Sequence, residues 1–156
     1  MAAQQADMMM TVSQLEKEVS NGTYIFRRPL TIVQCAVQDK YIVYQSCQQC
    51  NKRVSPENNG FVCPIHRWQR GVVYQFAMRI LLQDAIGSEV WATLFNAKAV
   101  QVLGYTANDY MNMKTDAERY AALDMLRGAQ VMVTIRKRVA GQYVNYTVSD
   151  LEVVTV

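Results

Sequence analysis

Residues 46–70, SCQQCNKRVSPENNGFVCPIHRWQR, decide how the rest of the chain is read. Two close pairs, Cys47-x2-Cys50 and Cys63-x2-His66, stand 12 residues apart, so each pair can grip one edge of a tetrahedral ion. Thiolate and imidazole suit zinc, and four protein ligands leave no open position for an activated water, so the expected cofactor is one structural Zn2+. An iron–sulfur cluster is the lesser reading, disfavoured by the histidine. Without a metal, the pairs would have to be ordinary buried cysteines and a surface histidine that share ligand spacing by chance. The segment is polar and short, so metal binding is expected to supply its folding free energy. Lys52, Arg53, Arg67 and Arg70 add positive charge to it, and Trp68 is expected to cover its junction with the remaining chain.

Working outward, the segment interrupts a pattern of strands. On its N-terminal side, Ser13, Leu15 and Val19 suggest a helical turn ending at Asn21-Gly22. Tyr24 to Phe26, Leu30 to Val37 and Tyr41 to Tyr44 are rich in β-branched and aromatic residues, with a bend expected at Pro29. On its C-terminal side, VVYQFAMRILL (72–82) and EVWATLF (89–95) read as a hairpin turning at Gly87. Ala97 to Leu103 suits a helical turn broken by Gly104, and Asn108 is expected to cap a short helix through Met113. Thr115 to Glu118 has capping-box spacing for a firmer helix whose apolar face is Tyr120, Leu123, Met125 and Leu126, with Gly128 as its C-cap. Val131 to Val139 and Tyr143 to Val154 are two final strands.

The order strand, inserted ribbon, two strands, helices, two strands reads as all-β with short helices: a five-stranded OB-type barrel with a helix between strands 3 and 4. The domain is expected over 13–156, with the ribbon at about 45–70 and a disordered leader over 1–12. With 156 residues, 51% hydrophobic, the chain fits one domain with a real core. No apolar run is long enough for a membrane helix, and the Met-rich start lacks a signal peptide's basic flank, so a soluble intracellular protein with reduced thiols and no membrane partner is expected. Cys35 lies apart from the paired ligands and reads as a small core residue. The net charge of +3 permits a polyanion partner without demanding one.

Strand alternation puts Tyr74, Phe76, Met78 and Ile80 on one face, Arg79 on the other, and Trp91, Thr93 and Phe95 together on the next strand. In an OB barrel, bases stack on side chains of the second and third strands while lysines and arginines follow the phosphates. Candidate nucleic-acid contacts are therefore Trp91, Phe95, Tyr74 and Arg79, with Arg136 and Arg138 on the fourth strand, Tyr143 beside the last loop, and Lys52 and Arg53 on the ribbon. The alternative for Tyr74 and Phe76 is a core position. Of Arg136, Lys137 and Arg138, at most two can share a side.

The run YQSCQQCNKRV, then NGFVC, VVYQFAMRILLQD and EVWATLFNAKAVQVLG resembles the C-terminal DNA-binding domain of the large subunit of replication protein A, from about Ser13 to Val154. Telomerase-associated and meiotic paralogues share this domain. The resemblance implies an OB fold with a zinc ribbon between its first two barrel strands. It also implies contact with single-stranded DNA through Trp91 and Phe95, and metal held by Cys47, Cys50, Cys63 and His66, the last replacing the family's usual cysteine. A nuclear role in replication, repair, recombination or telomere maintenance follows, with protein partners in a replication protein A-like or telomerase-like complex and RNA as an open alternative to DNA. The family domain continues into a C-terminal helix that bundles with two smaller subunits. This chain stops after its last expected strand, which reads as either a fragment or a reduced paralogue. The family's aromatic in the last loop is represented only by Tyr143.

No enzyme is expected: the single histidine is committed to metal, and neither a nucleophile–base pair nor a phosphate-binding glycine loop is present. The competing expectation is a protein-interaction module that uses the same scaffold with weak or no nucleic-acid binding.

Overall fold

A short helix, α1 (Val12–Lys17), opens the fold of the computed structural model, which describes residues 10–36 and 42–155. The Thr11 hydroxyl caps α1 by accepting from Gln14 N, and the Gln14 side chain accepts from Thr11 N in return. Strands β1 (Gly22–Ile25), β2 (Leu30–Cys35) and β3 (Val43–Ser46) follow. The ribbon strands are β4 (Ser55–Glu57), β5 (Gly60–Cys63) and β6 (Arg67–Gln69). After them come β7 (Val73–Gln83), β8 (Glu89–Phe95), α2 (Asn96–Leu103), α3 (Ala107–Met111), α4 (Asp116–Asp124), β9 (Gln130–Ala140) and β10 (Tyr143–Thr155).

Five strands close on themselves. β7 runs antiparallel between β2 and β8, β8 meets β10 in parallel at Thr93 and Thr147, β10 pairs antiparallel with β9, and β9 returns to β2 through Val131 opposite Leu30. β3 carries the first barrel strand onward along β7, while β1 extends the sheet beyond β9. Register shifts between Ile32 and Gln34 and between Val148 and Asp150 mark the irregularities that let these strands bend around the barrel. This is the expected OB fold, with the three helices inserted between its third and fourth barrel strands.

Alternation along each strand builds the core. Phe76, Met78, Ile80 and Leu82 on β7 point inward beside Val90, Ala92 and Leu94 on β8 and Val131, Val133 and Ile135 on β9. Tyr110 of α3 packs edge-on to Phe76, closing the barrel with apolar surface. The ribbon has its own small cluster, Cys47, Val54 and Cys63, outside this core.

Several local expectations change. Thr11 and Val12 belong to the fold and not to a leader: Thr11 caps α1 and Val12 is fully buried; residues 1–9 lie outside the described residues, as do Val37 and Tyr41. Val19 is 86% exposed because α1 ends two residues before it. Thr106, not Asn108, caps α3, since its hydroxyl accepts from Asp109 N; Asn108 instead accepts the β7 backbone N–H of Tyr74. Thr115 caps α4, but the Glu118 carboxylate accepts from Lys114 N rather than completing the box. Leu123 and Leu126 supply the buried face of this region, while Tyr120 and Met125 are exposed. Gly128, at φ +88°, lies beyond the helix C-cap Met125 and donates its N–H to Ile32 O, joining the helical segment to β2.

Candidate metal centre and outer barrel face

The two ligand pairs sit on two backbone turns of like construction. In the first, Gln49 N–H donates to Cys47 Sγ at 3.3 Å, and Asn51, directly after Cys50, adopts φ +62°. In the second, Ile65 N–H donates to Cys63 Sγ at 3.4 Å, and Arg67, directly after His66, adopts φ +61°. Each turn aims backbone N–H groups at its leading sulfur, which favours the thiolate.

The ligand atoms converge. Cys47 Sγ is 3.5 Å from His66 Nδ1, Cys50 Sγ is 3.6 Å from Cys63 Sγ, and Cys63 Sγ is 3.8 Å from His66 Nδ1, with all four atoms within 4.8 Å of one another. A tetrahedral ion with bonds of about 2.3 Å to sulfur and about 2.0 Å to nitrogen has ligand–ligand edges of about 3.5–3.8 Å. A disulfide would need sulfurs about 2.05 Å apart, so the cysteines are arranged as ligands and not as a cystine. The donor set and its spacing fit a metal ion.

The protonation balance agrees with the geometry. Partial desolvation raises the Cys47 thiol, but N–H donors from the Gln69 side chain and from Gln49 and Cys50 overcome it and bring its pKa to about 6. Cys63 is lowered against desolvation by the backbone N–H groups of His66 and Ile65. Cys50 receives a lowering contact from Lys52 N–H yet ends up raised, by desolvation and by the neighbouring sulfurs. Contact with Cys63 raises His66, as a cation is favoured next to thiolates. Gln69, on β6, donates to Cys47 Sγ at 2.7 Å and is a ligand-orienting contact that the sequence reading missed. Cys35 is apart from this group, buried in the barrel, with its thiol pushed up to about 12 chiefly by desolvation.

Trp68 does not cover the junction with the barrel. Its ring lies over Gly60 inside the ribbon, where an added Cβ would come within 2.5 Å of the ring, and its Nε1 donates to Glu57 O at 3.2 Å.

On the barrel, strand register gathers most of the candidate contacts on one outer face. Arg79 stands opposite Thr93, Thr93 beside Thr147, Thr147 opposite Arg136, and Arg136 opposite Thr23, so one row of side chains crosses β7, β8, β10, β9 and β1. Two residues along β8 in either direction lie Trp91, opposite Leu81, and Phe95, opposite Ala77. Two residues along β9 lies Arg138, opposite Asn145, and Tyr143 opposite Ala140 continues the same face at the hairpin tip. Phe95 is 48% and Tyr143 76% exposed, and the Arg79 guanidinium carbon lies 5.9 Å from the Trp91 ring centroid. Neither Arg136 nor Arg138 is in an ion pair among the described residues.

Tyr74 does not join them. It is half-buried against the core on the inward side of β7, next to Phe76. Lys52 and Arg53 are exposed on the ribbon, with the Arg53 guanidinium carbon 4.8 Å from the Tyr44 ring centroid. Lys137 points inward and is 2% exposed; its amine donates to the carbonyls of Leu15, Glu16 and Glu18 at the end of α1. Alternation alone marks Lys137 as the odd member of the basic triplet, but its partners lie more than a hundred residues away and carry no signal in the sequence.

The family description "Replication factor-A C terminal domain" matches residues 26–154. Two Arabidopsis thaliana proteins, the replication protein A 70 kDa DNA-binding subunits B and D, are 28% and 29% identical over 80 residues. Those alignments cover 50% of this chain and 13% of each relative, so the chain matches about an eighth of their length. Among solved structures, a replication protein A heterotrimer bound to single-stranded DNA superposes with a TM-score of 0.80 at 23% identity, covering 94% of this chain and 36% of that one. A yeast replication protein A bound to single-stranded DNA gives 0.71 at 19% identity, covering 93% and 87%. Fission yeast Pot1 and Tpz1 give 0.51 at 9% identity, covering 94% and 91%. These superpositions establish likeness of fold.

Proposed function

We propose, from the premise that this chain belongs to the replication factor-A C-terminal domain family, that it is a non-enzymatic module that binds single-stranded DNA across the outer face of its barrel. The observation that carries this reading is the register that sets Arg79, Arg136 and Arg138 on the same face as Trp91, Phe95 and Tyr143. Flat apolar rings interleaved with cations are what an unpaired strand needs, since bases stack and phosphates seek charge. The solved relatives bound to single-stranded DNA support the same polymer as ligand.

In this reading the domain is one barrel from about residue 10 onward, interrupted by a zinc ribbon. Cys47, Cys50, Cys63 and His66 hold a single Zn2+, which cross-links the two turns and supplies the cation that three crowded sulfurs require. The ion is structural, because all four positions belong to protein side chains. The protein acts in the nucleus, in replication, repair, recombination or telomere maintenance, beside partner subunits of a replication protein A-like or telomerase-like assembly. Among the described residues no helix is long and apolar enough to cross a membrane.

The test is fluorescence anisotropy of the zinc-loaded protein with a labelled single strand of about 20–30 nucleotides, longer than the span of one OB fold. Salt-sensitive binding is expected, and Trp91→Ala should weaken it by about 1–3 kcal/mol, a general range for OB-fold binders that include replication protein A itself. A folded, zinc-containing protein with no binding at low salt would refute the reading and favour a protein-docking role for the same face.

A further inference from the structure

We infer that a base of the bound strand stacks on the guanidinium of Arg53, backed by Tyr44, so that the nucleic-acid track leaves the barrel and continues onto the ribbon; this rests on the single-strand-binding reading above. β3 pairs with β7 so that Val43 faces Phe76 and Tyr44 faces Gln75. Phe76 is fully buried and Val43 packs against the core, so the alternate positions Tyr44 and Gln75 lie on the outer side. That is the side of Ala77 and Arg79, and Ala77 stands opposite Phe95. Tyr44 is therefore continuous with the stacking face, one residue pair along β7 from the row that contains Phe95.

The ribbon places Arg53 over this ring. Its backbone is pinned by a bridge to Ser46, while Cys47 N–H donates to Lys52 O at 2.8 Å and Val54 N–H donates to Gln45 O at 3.1 Å. The guanidinium carbon sits 4.8 Å from the Tyr44 centroid, and Arg53 is in no ion pair among the described residues. With Tyr44 behind it and solvent in front, the exposed guanidinium presents a flat, weakly hydrated cation on which a base can lie. Lysine would keep the charge at this position but not the plane. Tyr44 is a positioning residue: it holds the guanidinium from behind by the cation–π contact and acts on the ligand through it.

The experiment compares zinc-loaded parent, Arg53→Lys, Arg53→Ala, Tyr44→Phe and Tyr44→Leu by anisotropy on the same labelled oligothymidylate across a salt series, with zinc content and melting recorded for each. Arg53→Lys is expected to weaken binding about two- to fivefold with an unchanged slope of log affinity against log salt. Tyr44→Leu should match it, and Tyr44→Phe should bind like the parent. The inference is overturned if Arg53→Lys binds like the parent while Arg53→Ala loses about 0.7 of the salt slope, since Arg53 then contacts a phosphate. It is equally overturned if all Arg53 and Tyr44 variants bind like the parent while Trp91→Ala does not, an outcome that leaves the barrel-face reading standing. A parent that does not bind at all removes both. Should Tyr44→Leu lose zinc, the two Arg53 variants decide the question alone.

Discussion

Three consecutive basic residues, Arg136, Lys137 and Arg138, are expected to respond to substitution in two opposite ways. Lys137 lies inside, where its amine reaches Leu15 O at 2.7 Å, Glu16 O at 3.1 Å and Glu18 O, and lies 5.5 Å from the Tyr146 ring centroid. These are end-of-helix carbonyls, of which Leu15 O also accepts a 3.3 Å bond from the C-cap N–H of Glu18, and a cation there complements the helix dipole. Lys137→Met keeps the apolar stem and removes the three donors. The contact with Leu15 O is buried, and without it that carbonyl keeps only the 3.3 Å bond from Glu18 N–H; the charge-assisted bond removed is worth about 1.5–3 kcal/mol. The other two contacts are part-buried and can regain water, and loss of the ammonium removes its own desolvation penalty, which offsets part of the loss. A net destabilisation of about 2 kcal/mol follows, or a fall of about 4–8 °C in Tm for a domain of this length. Urea denaturation of the zinc-loaded protein measures it, and the salt slope of single-strand binding should not change. Arg136→Ala and Arg138→Ala point outward and should stay within about 0.5 kcal/mol of the parent in stability while each lowers the salt slope by about 0.7. Equal stability of Lys137→Met and parent, or a reduced salt slope in Lys137→Met, would refute the assignment of inner and outer faces.

Two further outcomes concern the ribbon. Gly60→Ala should displace the Trp68 ring, because the new Cβ would lie 2.5 Å from it; a red shift in tryptophan emission and weaker zinc retention against a chelator are expected, with barrel circular dichroism unchanged. Thiol titration near pH 8 should find no rapidly reacting cysteine in the zinc-loaded protein, three after chelation and four in denaturant. The fourth is Cys35, whose pKa near 12 keeps it a neutral thiol throughout that range, and reaction of all four after chelation alone would contradict its burial in the barrel.

The sequence carried the barrel because its central strands alternate cleanly: in AMRIL and VWATL every second residue is buried in the structure. The ligand set was legible for a different reason, since four metal-binding side chains at short, repeated spacing leave few other chemical explanations. What failed was local. Asn108 and Thr106 are both plausible caps by residue type, and the choice falls to Thr106 because Asn108 is held by the Tyr74 N–H on the neighbouring β7. Tyr120 and Met125 look apolar enough to face inward, but the buried stripe next to β2 is filled by Leu123 and Leu126 alone. Trp68 reads from the sequence as a cover for the junction, whereas the hairpin register with Val62 turns it onto Gly60. In each case a packing or hairpin partner outside the residue's own turn decided between local alternatives that propensity could not separate.

The ribbon and the barrel differ in what holds them, and that difference bears on binding. The barrel has a continuous apolar core, while the ribbon buries only Cys47, Val54 and Cys63, with Cys50, Phe61 and Val72 partly covering them. An apolar cluster of that size cannot offset the ordering of some 25 residues at about 1–2 kcal/mol each, so under the zinc-ribbon proposal the metal supplies the ribbon's order. The backbone that carries Arg53 is tied to β3 by hydrogen bonds from Cys47 and Val54, both members of that small cluster. Under that proposal, losing the ion would leave Trp91 and Phe95 in place on β8 and remove Arg53 from above Tyr44. Metal would then set how far the binding track extends rather than whether the barrel face exists.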